Sequence, residues 1–190
     1  MTEQFKTLDQ INDLQGKRVL LRGDLNVPFK NGKVTDDSRL QALLPTLQTL
    51  ADHKARIILI SHFGRPDGER NPEFTLNPVA DRLGEITDIP VRFIDDCIGD
   101  KVEEAVQDLP AGEILVLENL RFYSGETDNN KDFAQKLAAN ADIFINDAFS
   151  AAHRAHASTV GVTEFLPAYA GRLMEKELTS LAAILEKPEK

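Results

Sequence analysis

Residues 56–66 read RIILISHFGRP, and this stretch decides the fold. Its apolar run, Ile57 to Ile60, does not alternate between apolar and polar residues. Such a continuous run is expected of a strand that is buried on both faces. The run then ends in a polar turn that contains a glycine and a proline. The pattern therefore predicts a parallel strand whose carboxyl end leads directly into a polar loop.

Short apolar strands alternate with longer helical segments on both sides of this stretch. The predicted strands are residues 17–22, 56–61, 91–94, 113–118 and 143–145. The predicted helices are residues 36–52, 77–87, 101–109, 130–140 and 172–187. Such an alternation is typical of a parallel sheet with helices on both faces, joined by right-handed crossovers. We therefore predict an α/β fold with three αβα layers, similar to a Rossmann fold.

The composition is that of a globular chain with a strong negative charge. Of its 190 residues 42% are hydrophobic, and 22 Lys and Arg stand against 31 Asp and Glu, which gives a formal net charge of −9. Such a charge disfavours nucleic acid or an anionic membrane as a partner. Cys97 is the only cysteine, so an internal disulfide is excluded and a reducing cytoplasm is the expected compartment. The sequence shows no signal peptide and no apolar run long enough to span a membrane.

Polar segments follow four of the predicted strands, and each of them contains an arginine. They are residues 22–28, 61–66, 118–122 and 146–156. In an open α/β sheet the ligand binds outside the carboxyl ends of the strands, so we expect these segments to converge there. The sequence thus predicts an arginine-lined pocket for a small anion.

Each segment also has an ordinary structural interpretation. Asp24 and Asn26 have the spacing of an Asx-turn, and residues 62–66 have the composition of a simple Gly/Pro turn. Arg121 could pair with a surface carboxylate. These alternatives stay open at the level of the sequence.

Arg39 is placed unusually for a cation. It lies in the first turn of the predicted helix 36–52, where a positive charge opposes the helix dipole. An anionic ligand there would be held by the helix N-terminus and the guanidinium together. The alternative is a salt bridge to Asp36 or Asp37.

Several kinds of site are disfavoured by missing motifs. His153 and His156 are three residues apart, but no cysteine or H-E-x-x-H motif accompanies them, so we predict no metal site. The chain contains neither a G-x-x-x-x-G-K-[ST] nor a G-x-G-x-x-G loop, and it has no G-x-S-x-G motif. We therefore expect an anion site without a nucleotide site.

Taken together, the four segments closely resemble the phosphoglycerate kinase family. The family patterns are R-x-D-x-N-V-P, S-H-x-G-R-P, E-N-x-R-F and D-A-F-x-x-A-H-R-A-H-A-S. They occur here, in order, at residues 22–28, 61–66, 118–122 and 147–158. The chain departs from the family at Ser150 and Ala151, where Gly-Thr is usual.

This resemblance implies a domain organisation and a reaction. Residues 1–171 look like the N-terminal domain, which binds 3-phosphoglycerate, and residues 172–190 like the interdomain helix and the start of a linker. The implied reaction is reversible glycolytic phosphoryl transfer between ATP and 3-phosphoglycerate, giving ADP and 1,3-bisphosphoglycerate. Mg-ATP or Mg-ADP would bind to a C-terminal domain that is absent from this sequence. The chain alone is expected to be a cytoplasmic monomer that binds no nucleotide or metal and has no turnover.

The resemblance also implies the substrate-binding residues, which are Asp24, Asn26, Arg39, His62, Gly64, Arg65, Arg121 and Arg154. The last three arginines are expected to bind the substrate phosphate in the bidentate manner that guanidinium groups favour. His62 is expected beside them.

The remaining assignments concern the rest of the substrate. Asp24 is expected to accept a hydrogen bond from the substrate hydroxyl, with Asn26 close by. Arg39 is the expected catalytic residue, which would bind the carboxylate and stabilise the phosphoryl group during transfer.

Two functions of other classes compete with this one. Asp24 at a strand end could be the nucleophile of a phosphatase, but Asn26 stands where a second aspartate would be expected. The chain could also be a non-catalytic anion-binding module. Titration with 3-phosphoglycerate and with unrelated phosphates would distinguish the module from the kinase domain.

Overall fold

The computed structural model describes residues 5–186, with the last two residues described by their backbone alone. The strands are β1 (Arg18–Arg22), β2 (Phe29–Lys30), β3 (Lys33–Val34), β4 (Arg56–Ile60), β5 (Val91–Ile94), β6 (Ile114–Leu117), β7 (Ile143–Asn146) and β8 (Ala168–Ala170). The helices are α1 (Ser38–Asp52), α2 (Asn77–Ile86), α3 (Asp100–Gln107), α4 (Ser124–Thr127), α5 (Lys131–Ala138) and α6 (Arg172–Glu186).

Six strands form one parallel sheet in the order β5-β6-β4-β1-β7-β8. The chain moves from β1 to β4 on one side and reaches β7 on the other, so β1 lies where the strand order reverses. Ligands of open α/β sheets bind beside such a reversal. Strands β2 and β3 form a separate antiparallel hairpin. Among residues 5–186, no helix combines the length and apolarity that crossing a bilayer would require.

The sheet separates two hydrophobic cores. In β4, Ile57 and Leu59 pack into the core beneath α1 and α2, whereas Ile58 and Ile60 pack into the core beneath α3 and α5. All four side chains are fully buried. Successive residues of a strand point to opposite faces, so a strand buried on both faces must be apolar throughout. This arrangement confirms the predicted three-layer α/β fold.

The prediction missed the shortest elements. Strand β8 has three residues, each strand of the β2–β3 hairpin has two, and α4 has four. Segments this short do not show the periodicity from which strands and helices are recognised. The helix predicted over residues 172–187 begins at Arg172 as expected, but Lys187 lies outside the described residues.

The start of α6 is fixed by a carboxylate from a distant part of the chain. Gly171 precedes the helix and has no side chain with which to cap it. Instead, Asp147 accepts hydrogen bonds from the Met174 amide (3.0 Å) and the Thr46 hydroxyl (2.6 Å). The Thr46 hydroxyl in turn accepts one from the Arg172 amide (2.9 Å). Burial raises the pKa of Asp147. These bonds fasten α6 to both α1 and the end of β7.

The apolar side chains of α6 become progressively exposed along the helix. Met174 is buried, whereas Leu181 is 45% exposed. Ile184 is 67% exposed. Leu178 is partly buried, and the side chain of Leu185 lies outside the described residues.

We predict that Gly171→Ala lowers the free energy of unfolding by about 1–3 kcal/mol, the usual cost of overpacking. A Cβ atom there would lie 2.3 Å from Asp147 Oδ1, which its hydrogen bonds hold in place. Gly84→Ala is the matched control, because a Cβ in α2 would lie 3.7 Å from Val91. It should raise the free energy of unfolding by about 0.5–1 kcal/mol. Urea unfolding measures both, and equal effects would contradict the account of Asp147.

Candidate functional site

A cavity of about 240 Å³ lies at the end of the sheet where β1 and β4 lead into their polar loops. We call it the arginine cup. Its lining consists of Asn26, Arg39, His62, Gly64, Arg65, Arg121, Ser150, Ala151 and Arg154. The structure thus brings together every predicted site residue except Asp24, which lines a neighbouring cavity of about 220 Å³.

A larger cavity, of about 700 Å³, lies between the β2–β3 hairpin and α2. Its lining contains four carboxylates, Asp36, Asp37, Asp81 and Glu85, besides two cationic side chains. This excess of negative charge makes it unsuitable for an anion, so the smaller cup is the better candidate.

The turn after β4 depends on Gly64. This residue has a φ of +60°, and a Cβ atom would lie 2.4 Å from the ring of Phe74. Its amide donates to Asn26 Oδ1 (3.0 Å), and its carbonyl accepts from Arg121 Nη1 (3.0 Å). Residues 62–66 therefore form an ordinary turn and also connect two other segments of the cup.

Asp24 and Asn26 likewise satisfy both interpretations of their spacing. The Asn26 amide donates to Asp24 Oδ1 (3.1 Å), which is the contact of an Asx-turn. The side chain of Asn26 nevertheless lines the cup. The Asx-turn is thus compatible with a position of the Asn26 side-chain carboxamide at the cavity.

Arg39 lies in the first turn of α1, as predicted, but its partner is neither Asp36 nor Asp37. Its Nη1 donates to Asp24 Oδ2 (3.0 Å) and Oδ1 (3.2 Å), and to the Asn26 carbonyl (2.9 Å). Among the contacts of the described residues, its Nε and Nη2 carry none. Arg39 therefore keeps donors for a further acceptor while it is paired with Asp24.

Arg65, Arg121 and Arg154 form a cluster of like charges. They line the cup together, and all three also line an adjoining cavity of about 210 Å³. Burial lowers the pKa of Arg121, and the charges of Arg154 and Arg65 lower it further. Arg121 Nε is buried and has no hydrogen-bond partner within residues 5–186. No carboxylate lines the cup itself, so an anion there would relieve the mutual repulsion.

His62 contributes a neutral donor to the cup. Its Nδ1 lies 2.8 Å from Arg22 Nη2. Because a guanidinium only donates, Nδ1 must accept and the imidazole proton must reside on Nε2. Burial, together with the charges of Arg22 and Arg121, lowers the pKa of His62 to about 2. His62 is therefore uncharged at neutral pH.

Sequence reasoning missed the role of Arg22, which is only 1% exposed at the end of β1. Its Nε donates to Ser158 Oγ (3.0 Å), and that hydroxyl donates to Glu126 Oε1 (2.5 Å). Burial lowers the pKa of Arg22, whereas the charge of Glu126 raises it. The available signal was an arginine that ends a strand with apolar residues on both faces, because such a charge must find partners in the interior.

The two histidines that lie three residues apart in the sequence have different surroundings. No group of three or more His, Cys, Asp or Glu residues suited to a metal ion occurs within residues 5–186. His153 is exposed, while His156 Nδ1 lies 3.9 Å from Glu126 Oε1.

Comparisons with known proteins agree with the resemblance seen in the sequence. The profile of the phosphoglycerate kinase family matches residues 8–190. The phosphoglycerate kinase of Azorhizobium caulinodans is 56% identical over 98% of this chain and 46% of its own length. That of Borreliella burgdorferi is 50% identical over 98% of this chain and 47% of its own length. The chain therefore spans about half the length of the curated relatives it matches.

Solved structures give the same result. The phosphoglycerate kinase of Coxiella burnetii superposes with a TM-score of 0.86 at 40% identity, covering 98% of this chain and 46% of the other. The enzyme of Pyrococcus horikoshii OT3 gives a TM-score of 0.88 at 34% identity, covering 97% and 47%.

We predict that His62 stays neutral in the folded protein down to at least pH 4, with its proton on Nε2. Imidazole nitrogen chemical shifts, measured by NMR across a pH titration, report both the protonation state of the ring and which nitrogen carries the proton. Protonation near pH 6, or a proton on Nδ1, would contradict the contact with Arg22.

The same pKa has a consequence for stability. The unfolded chain protonates His62 near pH 6.5, so between about pH 6.5 and 2 it binds more protons than the folded chain. The free energy of unfolding should therefore fall as the pH falls below 6.5. His62→Gln should reduce this slope, by at most about 1.4 kcal/mol per pH unit. His53→Gln, which removes an exposed histidine, is the control.

Proposed function

This chain belongs to the phosphoglycerate kinase family, and we propose that it binds 3-phosphoglycerate in the arginine cup for phosphoryl transfer with ATP. The observation that carries the proposal is the lining of the cup, in which four guanidinium groups converge without a carboxylate. A phosphorylated three-carbon acid carries two anionic groups, so it requires several cationic donors around a small cavity. The whole chain has a net charge of −9, but its carboxylates lie outside the lining of the cup, so this charge does not prevent an anion from binding there.

The phosphate of the substrate is assigned to Arg65, Arg121 and Arg154. Arg121 supplies a buried Nε that has no partner among the described residues. His62 adds the neutral Nε2–H donor that its contact with Arg22 fixes. A phosphate of about −1.5 to −2 charges would be neutralised by these groups.

The carboxylate end of the substrate is assigned to Arg39 and Asp24. Arg39 still has Nε and Nη2 with which to bind the carboxylate and stabilise the phosphoryl group in transfer. Asp24 is the acceptor for the substrate hydroxyl. Phosphoryl transfer needs little covalent chemistry from the protein, so positioning and charge neutralisation account for catalysis.

The nucleotide is assigned to a partner, a C-terminal domain of the kind that the family resemblance implies. The cup is lined by cations, which suit the phosphate and carboxylate of an acid but repel the magnesium ion that accompanies ATP. Closure of the two domains would bring the nucleotide to the cup and exclude water. We propose that the chain alone is a cytoplasmic monomer without turnover.

The phosphatase alternative is disfavoured by the surroundings of Asp24. Its carboxylate already accepts hydrogen bonds from Arg39, the Asn26 amide and Ser150, and its side chain is only 12% exposed. A carboxylate engaged in this way is a poor nucleophile.

We predict that the chain binds 3-phosphoglycerate weakly and that the affinity falls as the salt concentration rises, because the contacts are ionic. Isothermal titration calorimetry measures both. Arg65→Gln should weaken binding by about one to two orders of magnitude, the value of a charged hydrogen bond. Arg92→Gln, which removes an exposed arginine paired with Glu113, should leave binding unchanged. No binding at millimolar ligand, or binding insensitive to salt, would refute the assignment.

We predict that Arg39→Ala, in a two-domain enzyme that carries this chain, lowers kcat far more than it raises KM. Losing one charged donor to the transition state costs about 3–4 kcal/mol, or about two to three orders of magnitude in rate. Arg39→Lys should restore only part of the activity, because an ammonium lacks the planar pair of donors. Steady-state kinetics separate the parameters, and a change in KM alone would make Arg39 a binding residue only.

A further inference from the structure

Ser150 is a second hydroxyl within reach of Asp24. It lies in the 3-10 turn Phe149–Ala151 that follows β7. Its Oγ donates to Asp24 Oδ2 over 2.7 Å. A glycine at this position could not make that bond.

Three donor groups already contact the two oxygens of the Asp24 carboxylate. Oδ1 accepts from the Asn26 amide (3.1 Å) and Arg39 Nη1 (3.2 Å), and Oδ2 accepts from Arg39 Nη1 (3.0 Å) and Ser150 Oγ (2.7 Å). A carboxylate offers about four acceptor positions. A hydroxyl arriving from a ligand therefore competes with these donors for the carboxylate oxygens.

Ser150 and Arg39 also lie at the border between the arginine cup and the neighbouring cavity. Both residues line the cup and the neighbouring cavity, whereas Asp24 lines only the latter. A ligand that extends from the cup towards Asp24 therefore meets these two side chains. Ser150 donates from a neutral hydroxyl and Arg39 from a charged guanidinium, so the bond from Ser150 is broken at lower cost.

We propose that Ser150 is a positioning residue that acts through Asp24, and that its hydroxyl holds the acceptor position which the hydroxyl of a phosphorylated 2-hydroxy acid must take. This inference rests on the proposed function. Ser150 then weakens the binding of ligands that carry the hydroxyl and leaves ligands without it unaffected. It thereby sets how strongly the cup prefers 2-hydroxy acids.

Removal of the hydroxyl leaves the loop intact. Ser150 is exposed, and the loop is held at its base by bonds from the Asp147 amide to the Arg22 carbonyl (2.9 Å) and from the Ala148 amide to Asn146 Oδ1 (3.1 Å). Ser150→Ala should therefore keep Arg154 in place.

The test compares the binding of two ligands to the native chain and to Ser150→Ala by calorimetry. The ligands are 3-phosphoglycerate and 3-phosphonooxypropanoate, an analogue that lacks the hydroxyl. We expect Ser150→Ala to bind 3-phosphoglycerate about ten- to hundredfold more tightly, the value of one hydrogen bond to a charged group, and the analogue equally well. Ser150→Thr keeps the hydroxyl and should match the native chain. In an Asp24→Ala background, Ser150→Ala should have no effect. Thermal unfolding verifies that each variant is folded.

The two ligands also separate the ways in which the inference can fail. No change, weaker binding of 3-phosphoglycerate, or an equal change for both ligands would overturn the role of Ser150, while binding to the native chain would still support the proposed function. Failure of both ligands to bind to the native chain would overturn the proposed function and this inference with it.

Discussion

The buried guanidinium of Arg22 is the constraint on which the rest of the site depends. A charge at 1% exposure is costly unless its donors are satisfied. Arg22 meets this requirement with the Gly23 carbonyl, Ser61 Oγ (3.2 Å), Ser158 Oγ (3.0 Å) and His62 Nδ1 (2.8 Å). These acceptors belong to loops that follow three different strands. Satisfying one buried charge thus fixes the relative positions of those loops.

Negative charge is placed behind the cup rather than in it. Glu126 is fully buried and reaches Arg22 through Ser158. Glu118, also buried, accepts from the Leu76 amide (2.8 Å) at the start of α2 and from the Thr75 hydroxyl (2.6 Å). These carboxylates stabilise the scaffold while the inner surface of the cup remains cationic. An acidic protein can therefore present a strongly anion-attracting cavity.

The sequence was sufficient for the fold class and for the segments that line the cup. Apolar runs such as Ile57 to Ile60 and the polar segments after them follow from local periodicity. Other features depend on contacts between residues far apart in the chain. Asp24 lines a neighbouring cavity, and its carboxylate accepts a hydrogen bond from Ser150, 126 residues later in the chain. Arg39 pairs with Asp24 rather than with the aspartates beside it because the loop after β1 passes the start of α1. Sequence spacing carries no information about such distances.

Asp147 connects the loop that forms one wall of the cup to the first turn of α6. The same carboxylate lies at the base of the loop that carries Ser150 and Arg154 and also caps the first turn of α6. Its third contact, with Thr46, anchors this junction on α1, the helix whose first turn bears Arg39. The junction therefore connects α6 directly to the ligand-facing loop, so that a movement of the helix is transmitted to that loop. A tilt of α6 would therefore displace the loop that carries Arg154 relative to the other arginines of the cup.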